Sequence, residues 1–201
     1  VALEDGIAVL ISKPVIEKSL RGEIDYLYRH LYLEKYSWEG DTVFSTHLMG
    51  KDKIIKVGDQ IFSVYGRGST RLAWSGEYYA AYFPSYRKWP DLVTHQGDVY
   101  VILDKNGKNM ADDELIHDYG TTWGVSHSFA QEIVFDGSAF MRFALGDAYP
   151  RAIAVKRNYP DSGSRSSSTY SSISEFPGKS GDNYVYDTHL SSPQVYNGYV
   201  Y

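Results

Sequence analysis

One short pattern recurs four times in this chain and limits what it can fold into: an apolar segment, a two-residue step ending in Gly, then a second apolar or aromatic segment. It runs around Asp5-Gly6, Ser75-Gly76, Asp136-Gly137 and Asn197-Gly198, so the glycines are 70, 61 and 61 residues apart. Gly supplies the positive φ that tight hairpin turns need, and apolar runs on either side read as paired strands. A second landmark follows the first in the same order. Gly22-Glu23 precedes Tyr26-Leu27-Tyr28, Gly97-Asp98 precedes Val99-Tyr100-Val101-Ile102, and Gly146-Asp147 precedes Ala152-Ile153-Ala154-Val155. Each unit then reads as strand, tight turn, strand, variable loop, Gly-acid, third strand and a weaker fourth element.

Four antiparallel strands per unit, repeated, predict an all-β chain of the β-propeller type, each unit one blade. The units span residues 1–65, 66–126 and 127–188, with the start of another at 189–201. The ends read as cut from a longer polypeptide, since no initiator Met opens the chain and Gln194 to Tyr201 reads as a strand with nothing after it. A partial propeller exposes blade faces, so its partners are the remaining blades of a longer parent chain or further copies of itself. If 201 residues are the whole protein, a β-sandwich is the alternative.

Four stretches are less regular. Ile16, Leu20, Ile24, Leu27, Tyr28 and Leu31 fall at helical spacing after Pro14. The repeat register instead makes Tyr26 to Lys35 a strand, with Pro14 to Gly22 in a loop, and we favour it. Tyr82 to Pro90 contains two prolines and reads as an irregular excursion. Met110 to His117 reads as one helical turn or a poor outer strand. Asp161 to Ser174, rich in serine, reads as a solvated insertion.

Composition excludes several function classes. With 20 Lys and Arg against 25 Asp and Glu the chain lacks the basic balance of a general nucleic-acid binder. The absence of Cys removes disulfides, thiolate metal sites and cysteine nucleophiles. No apolar run reaches membrane-spanning length, and no signal peptide is visible. There is no nucleophile elbow, phosphate loop or dinucleotide fingerprint, so no cofactor is expected.

The candidate ligand residues are Tyr82, Tyr86, Arg87, Trp89, His95, Trp123, His127 and His189. Tyr82, Tyr86 and Trp89 crowd one segment beside Arg87, and exposed Tyr and Trp next to charged groups suit the apolar face and hydroxyl edge of a sugar. His127 and His189 stand ten and nine residues before Gly137 and Gly198, and Arg67 stands nine before Gly76, so the three would share a propeller rim. Repetition equally fits a structural histidine once per blade. His95 or His127, with Tyr86 and Arg87, could supply proton transfer and charge neutralisation for β-elimination on a uronic acid. Trp123 and Tyr149 are second-line candidates. His47 and His117 lie near fourth strands, and no histidines show metal-motif spacing, so no metal site is expected. The acids after Gly22, Gly97 and Gly146 could meet a cation such as Ca²⁺ but read better as corner caps. Asp104 to Asn109 departs from a calcium loop and reads as a turn.

Trp123-Gly124-Val125-Ser126-His127-Ser128-Phe129-Ala130-Gln131 and Gly146-Asp147-Ala148-Tyr149-Pro150-Arg151 resemble repeats of large bacterial cell-surface or secreted proteins of β-propeller type. Thr94 to Asp98 and Phe176 to Tyr184 are similar to the same repeats, and the resemblance covers residues 66–201. It implies an extracellular or cell-surface location and an adhesive role, and it supplies no catalytic residues. The function expected is therefore non-enzymatic binding, with a glycan or cell-surface polymer as the ligand. A polysaccharide lyase using His, Tyr and Arg is the alternative, and a purely structural surface subunit the second.

Overall fold

The computed structural model describes residues 1–18, 24–50, 55–57, 60–64, 70–88, 94–110, 116–118, 128–146, 152–160, 169–175 and 191–201. Among them there is no α-helix, and the chain is built of antiparallel sheets. The first sheet runs in chain order through β1 (Ala2–Leu3), β2 (Gly6–Lys18), β3 (Ile24–Tyr36) and β4 (Thr42–Met49). A small hairpin of β5 (Ile55–Val57) and β6 (Gln60–Val64) leads into β7 (Arg71–Trp74), β8 (Tyr78–Lys88), β9 (Thr94–Asp104) and β10 (Ile116–Asp118), and all six form the second sheet. The third contains β11 (Ser128–Phe135), β12 (Phe140–Gly146), β13 (Ala152–Asn158) and β14 (Thr169–Glu175). A two-stranded hairpin, β15 (Val195–Tyr196) and β16 (Tyr199–Val200), follows.

The glycine pattern marks hairpins at all four places, of two kinds. Glu4-Asp5 and Asn197-Gly198 are two-residue connections. Trp74 pairs with Tyr79 and Phe135 with Phe140, so the middle two connections have four residues rather than the two expected. These two turns, 61 residues apart, share one chemistry. Gly76 and Gly137 both adopt φ +101°. Ser75 Oγ accepts the N–H of Tyr78 at 2.9 Å, and Asp136 Oδ1 accepts those of Ser138 and Ala139 at 2.8 Å each. A short polar side chain opening each turn thus satisfies main-chain donors that no strand partner reaches.

Several irregular-looking stretches are strands. β2 and β3 pair from Ile7↔Tyr36 to Lys18↔Ile24, which takes Pro14–Lys18 out of the expected loop and overrides the helical spacing. Strand pairing over that length outweighs a local periodicity. The expected excursion after Tyr82 is also strand, up to Lys88. Pro84 is tolerated there because β7 partners Tyr79 to Tyr82 and β6 partners Ser85 to Lys88. Proline's missing N–H falls in the gap between them. Gly97-Asp98 lies inside β9 rather than before a strand. The serine-rich stretch enters β14 from Thr169, paired with β13. Ile116 and His117 are strand, paired with Tyr100 and Val99.

The three sheets stack face to face with the second in the middle. Alternate residues of β8 and β9 point to opposite neighbours. Tyr79, Ala81, Phe83, Val99, Val101 and Leu103 form one buried cluster with Ala8, Leu31, Leu33, Leu48 and Met49 of the first sheet. Ala80, Tyr82, Tyr100 and Ile102 form another with Ala73, Ile133 and Phe140, the last two from the third sheet. A side chain such as Phe83, 1% exposed, contributes roughly 2–3 kcal/mol by leaving water. Arg71 joins the second and third sheets by a two-pronged bond to Glu132, with Nε and Nη2 each 2.9 Å from a carboxylate oxygen. These two residues are 61 apart in sequence, the same spacing as the Gly76 and Gly137 turns.

Candidate functional site

Among the described residues, a concave feature lies between the first and second sheets, at the end where their hairpin turns gather. It is a cleft of about 690 Å³. Glu4 and Asp5 in the β1–β2 turn and Lys35 on β3 form one wall, with Val43 and Phe44 of β4 beside them. Trp74 at the end of β7, Tyr79 on β8, and Lys105 and Asn106 in the turn after β9 form the other. Each sheet alone presents half of this surface, and stacking creates the hollow.

The apolar part is aromatic. Trp74 and Tyr79 lie with ring centroids 4.3 Å apart, and Phe44 meets Tyr79 edge-on at 5.9 Å. The polar part is an ion pair, with Lys35 Nζ donating to Asp5 Oδ2 at 2.7 Å. The Lys35 side chain is mostly covered, at 11% exposure, whereas that of Asp5 is 70% exposed. The hydrogen bond from Lys35 holds the Asp5 carboxyl below the usual carboxylate range, so Asp5 is an anion with lone pairs facing solvent. Tyr79 is fully buried, and its hydroxyl has no hydrogen-bond partner among the described residues. Burial first, and the Asp5 charge second, push its pKa up to about 12, so it stays a neutral donor. Trp38, 60% exposed, bonds through Nε1 to the Glu4 carbonyl at 3.0 Å and braces the turn carrying Asp5.

The expected ligand residues lie elsewhere. Tyr82 is a core side chain, 2% exposed, with the Arg142 guanidinium 5.3 Å from its ring centroid. The same guanidinium stands 4.4 Å from the Tyr100 ring, and Arg142 Nε donates to Asn158 Oδ1 at 2.9 Å. Tyr82 thus helps seal the second sheet against the third. Tyr86, Arg87 and His95 belong to strands, where Arg87 is the register partner of His95 and Tyr86 that of Gln96. From Tyr79 to Arg87 the strand climbs roughly 26 Å, so this pair stands far from the cleft. Trp89, Trp123, His127 and His189, like Arg67 and Tyr149, lie outside the described residues. The cleft residues had a partial signal in the sequence: Asp5 and Trp74 border the glycine turns of successive units. Nothing local links two residues 69 positions apart.

No group of three or more His, Cys, Asp or Glu side chains able to hold a metal ion occurs among the described residues. No helix among them is long and apolar enough to cross a membrane. No family model matches the chain, and no curated protein and no solved structure matches it.

Proposed function

We propose that the chain is a non-catalytic, extracellular binding module built as part of a β-propeller, and that it holds a glycan in the cleft between its first two sheets. One observation carries this reading. The cleft brings the Trp74 ring, backed by the buried Tyr79, and the Phe44 ring together with the Asp5–Lys35 pair, within a volume usual for small-ligand sites. A pyranose ring offers an apolar face to an indole and an edge of hydroxyls to a carboxylate and an ammonium. Successive antiparallel sheets, stacked face to face and joined by Arg71 and Glu132 at positions 61 residues apart, support the propeller reading. That stacking also supports association with further sheets of the same kind, from a longer chain or a second copy.

Glycan-array binding of the chain, repeated with Trp74→Ala and Asp5→Ala, tests the proposal. We expect each change to weaken binding more than tenfold while the sheets remain folded by circular dichroism. Unchanged binding in both variants would overturn the cleft as the site. The register pairing of Arg87 with His95 favours a lyase as second reading. Under that reading the chain would release unsaturated uronate from an acidic polysaccharide and lose this activity in His95→Ala but not in Trp74→Ala.

A further inference from the structure

The face of the first sheet turned away from the second carries a pair of histidines that no motif announces. His30 on β3 and His47 on β4 are 17 residues apart in sequence, yet His30 Nδ1 and His47 Nε2 lie 3.1 Å from each other. Their rings are stacked, with centroids 5.0 Å apart and planes inclined by 26°. Tyr32 stacks on His47 at 4.7 Å and fixes its plane. His47 Nε2 donates to the Met49 carbonyl oxygen at 2.9 Å, so that nitrogen carries a proton in the metal-free chain. Gly50 follows at once. A β-carbon at that position would stand 2.4 Å from His30 Nδ1 and 2.5 Å from His47 Nε2, so the pair packs directly against the Gly50 backbone and any side chain there would push the imidazoles out of place.

From this arrangement we infer a divalent transition-metal site, with His30 Nδ1 and His47 Nε2 as the protein ligands. Metal–imidazole bonds of about 2.0–2.1 Å to nitrogens at this separation would subtend roughly 95–100° at the ion, nearer the cis angle of Cu²⁺ or Ni²⁺ than a tetrahedron. Water would complete the coordination, and the Nε2 proton now given to the Met49 carbonyl would leave as the metal binds, which makes the site one of moderate, pH-dependent affinity. The nearby cation is already neutralised: Lys13 Nζ, 4.5 Å above the Tyr32 ring, donates to Glu34 Oε1 at 2.7 Å. Glu34 accepts also from Ser45 Oγ at 3.0 Å and from the Tyr36 hydroxyl, so it is held away from the imidazoles as a support for Lys13. The site is separate from the cleft, since His30, Tyr32 and Glu34 alternate along β3 with Leu31, Leu33 and Lys35, which face the second sheet.

Titration of the full chain with Cu²⁺, Ni²⁺ and Zn²⁺ salts alone, followed by calorimetry, tests this. We expect saturable binding of one Cu²⁺ per chain, tighter than Ni²⁺ or Zn²⁺. His30→Ala and His47→Ala should each weaken it at least tenfold. So should Gly50→Ala, whose methyl group would force the two imidazoles out of their present positions. If an alanine variant fails to fold, His30→Gln and His47→Gln serve in its place, with circular dichroism as the control. NMR gives an independent readout: substoichiometric Cu²⁺ should broaden the Cε1–H signals of His30 and His47 before those of the other four histidines. Absence of saturable binding would overturn the inference. So would broadening that spares these two, or an affinity that survives both single substitutions.

Discussion

Asp136 shows how one side chain can hold a turn and two strands at once. Its Oδ1 caps the β11–β12 turn, while its Oδ2 accepts from Arg157 Nη2 of β13 at 2.8 Å. Burial pulls its pKa upward, but the N–H groups of Ala139 and Ser138, the Ser138 hydroxyl and Arg157 outweigh that, and the carboxyl titrates below its ordinary value. Glu34 is lowered too, chiefly by Lys13 and then by the Tyr36 hydroxyl. A depressed folded-state pKa stabilises the protein above the unfolded value and is lost as pH falls through the folded one. We therefore expect stability to be flat near neutrality and to drop below about pH 4. Asp136→Asn and Glu34→Gln should each make urea midpoints less sensitive to acid. Asp136→Ala should cost about 2 kcal/mol, because it strands two N–H groups and a guanidinium. Tyr82 separates a core role from a ligand role. Tyr82→Ala should cost about 3–4 kcal/mol in denaturant melts, while Tyr82→Phe should leave glycan binding intact.

At the level of elements, an ion pair pins the second sheet to the third in addition to apolar contact. The Glu132 side chain is only 6% exposed and the Arg71 side chain 37%, so removing the arginine leaves a covered carboxylate unpaired. Arg71→Ala should destabilise by about 2–3 kcal/mol. The exchanged pair, Arg71→Glu with Glu132→Arg, should recover much of that loss in a double-mutant cycle. Individual strands were unevenly legible in the sequence. The glycine turns and the third strands announced themselves, because hairpin chemistry is local. β8 and β9 did not alternate in polarity, since both their faces are buried, and a doubly buried strand reads as a continuous apolar run. The far half of β8 was obscured by Pro84, whose tolerance depends on the junction between β6 and β7, a fact of pairing that no local window contains.

For the whole molecule, the cleft and the histidine pair were illegible for a common reason. Each is assembled across strands or sheets from residues with no fixed spacing: Asp5 with Trp74 in one, His30 with His47 in the other. What could be read was the all-β class and the glycine-marked hairpins, because their signals are local and recur along the chain. The same stacking predicts an order of protection. Amides of β8 and β9 at Tyr79 to Phe83 and Val99 to Leu103 should exchange with solvent most slowly, and those of the β15–β16 hairpin, whose tyrosines are 68% exposed, most quickly. Hydrogen-exchange mass spectrometry would show this, and comparable rates in the two regions would contradict the middle position of the second sheet.

Ala80 and Ala81 are adjacent, both fully buried, and face opposite neighbours. They act as a gauge: their methyl groups set how closely the first and third sheets approach the second. A lineage that enlarged either residue would have to widen one gap, shifting the two walls of the cleft or parting Arg71 from Glu132. In any set of descendants, these two small residues should therefore drift less than the bulky aromatics around them, which can exchange volume with one another.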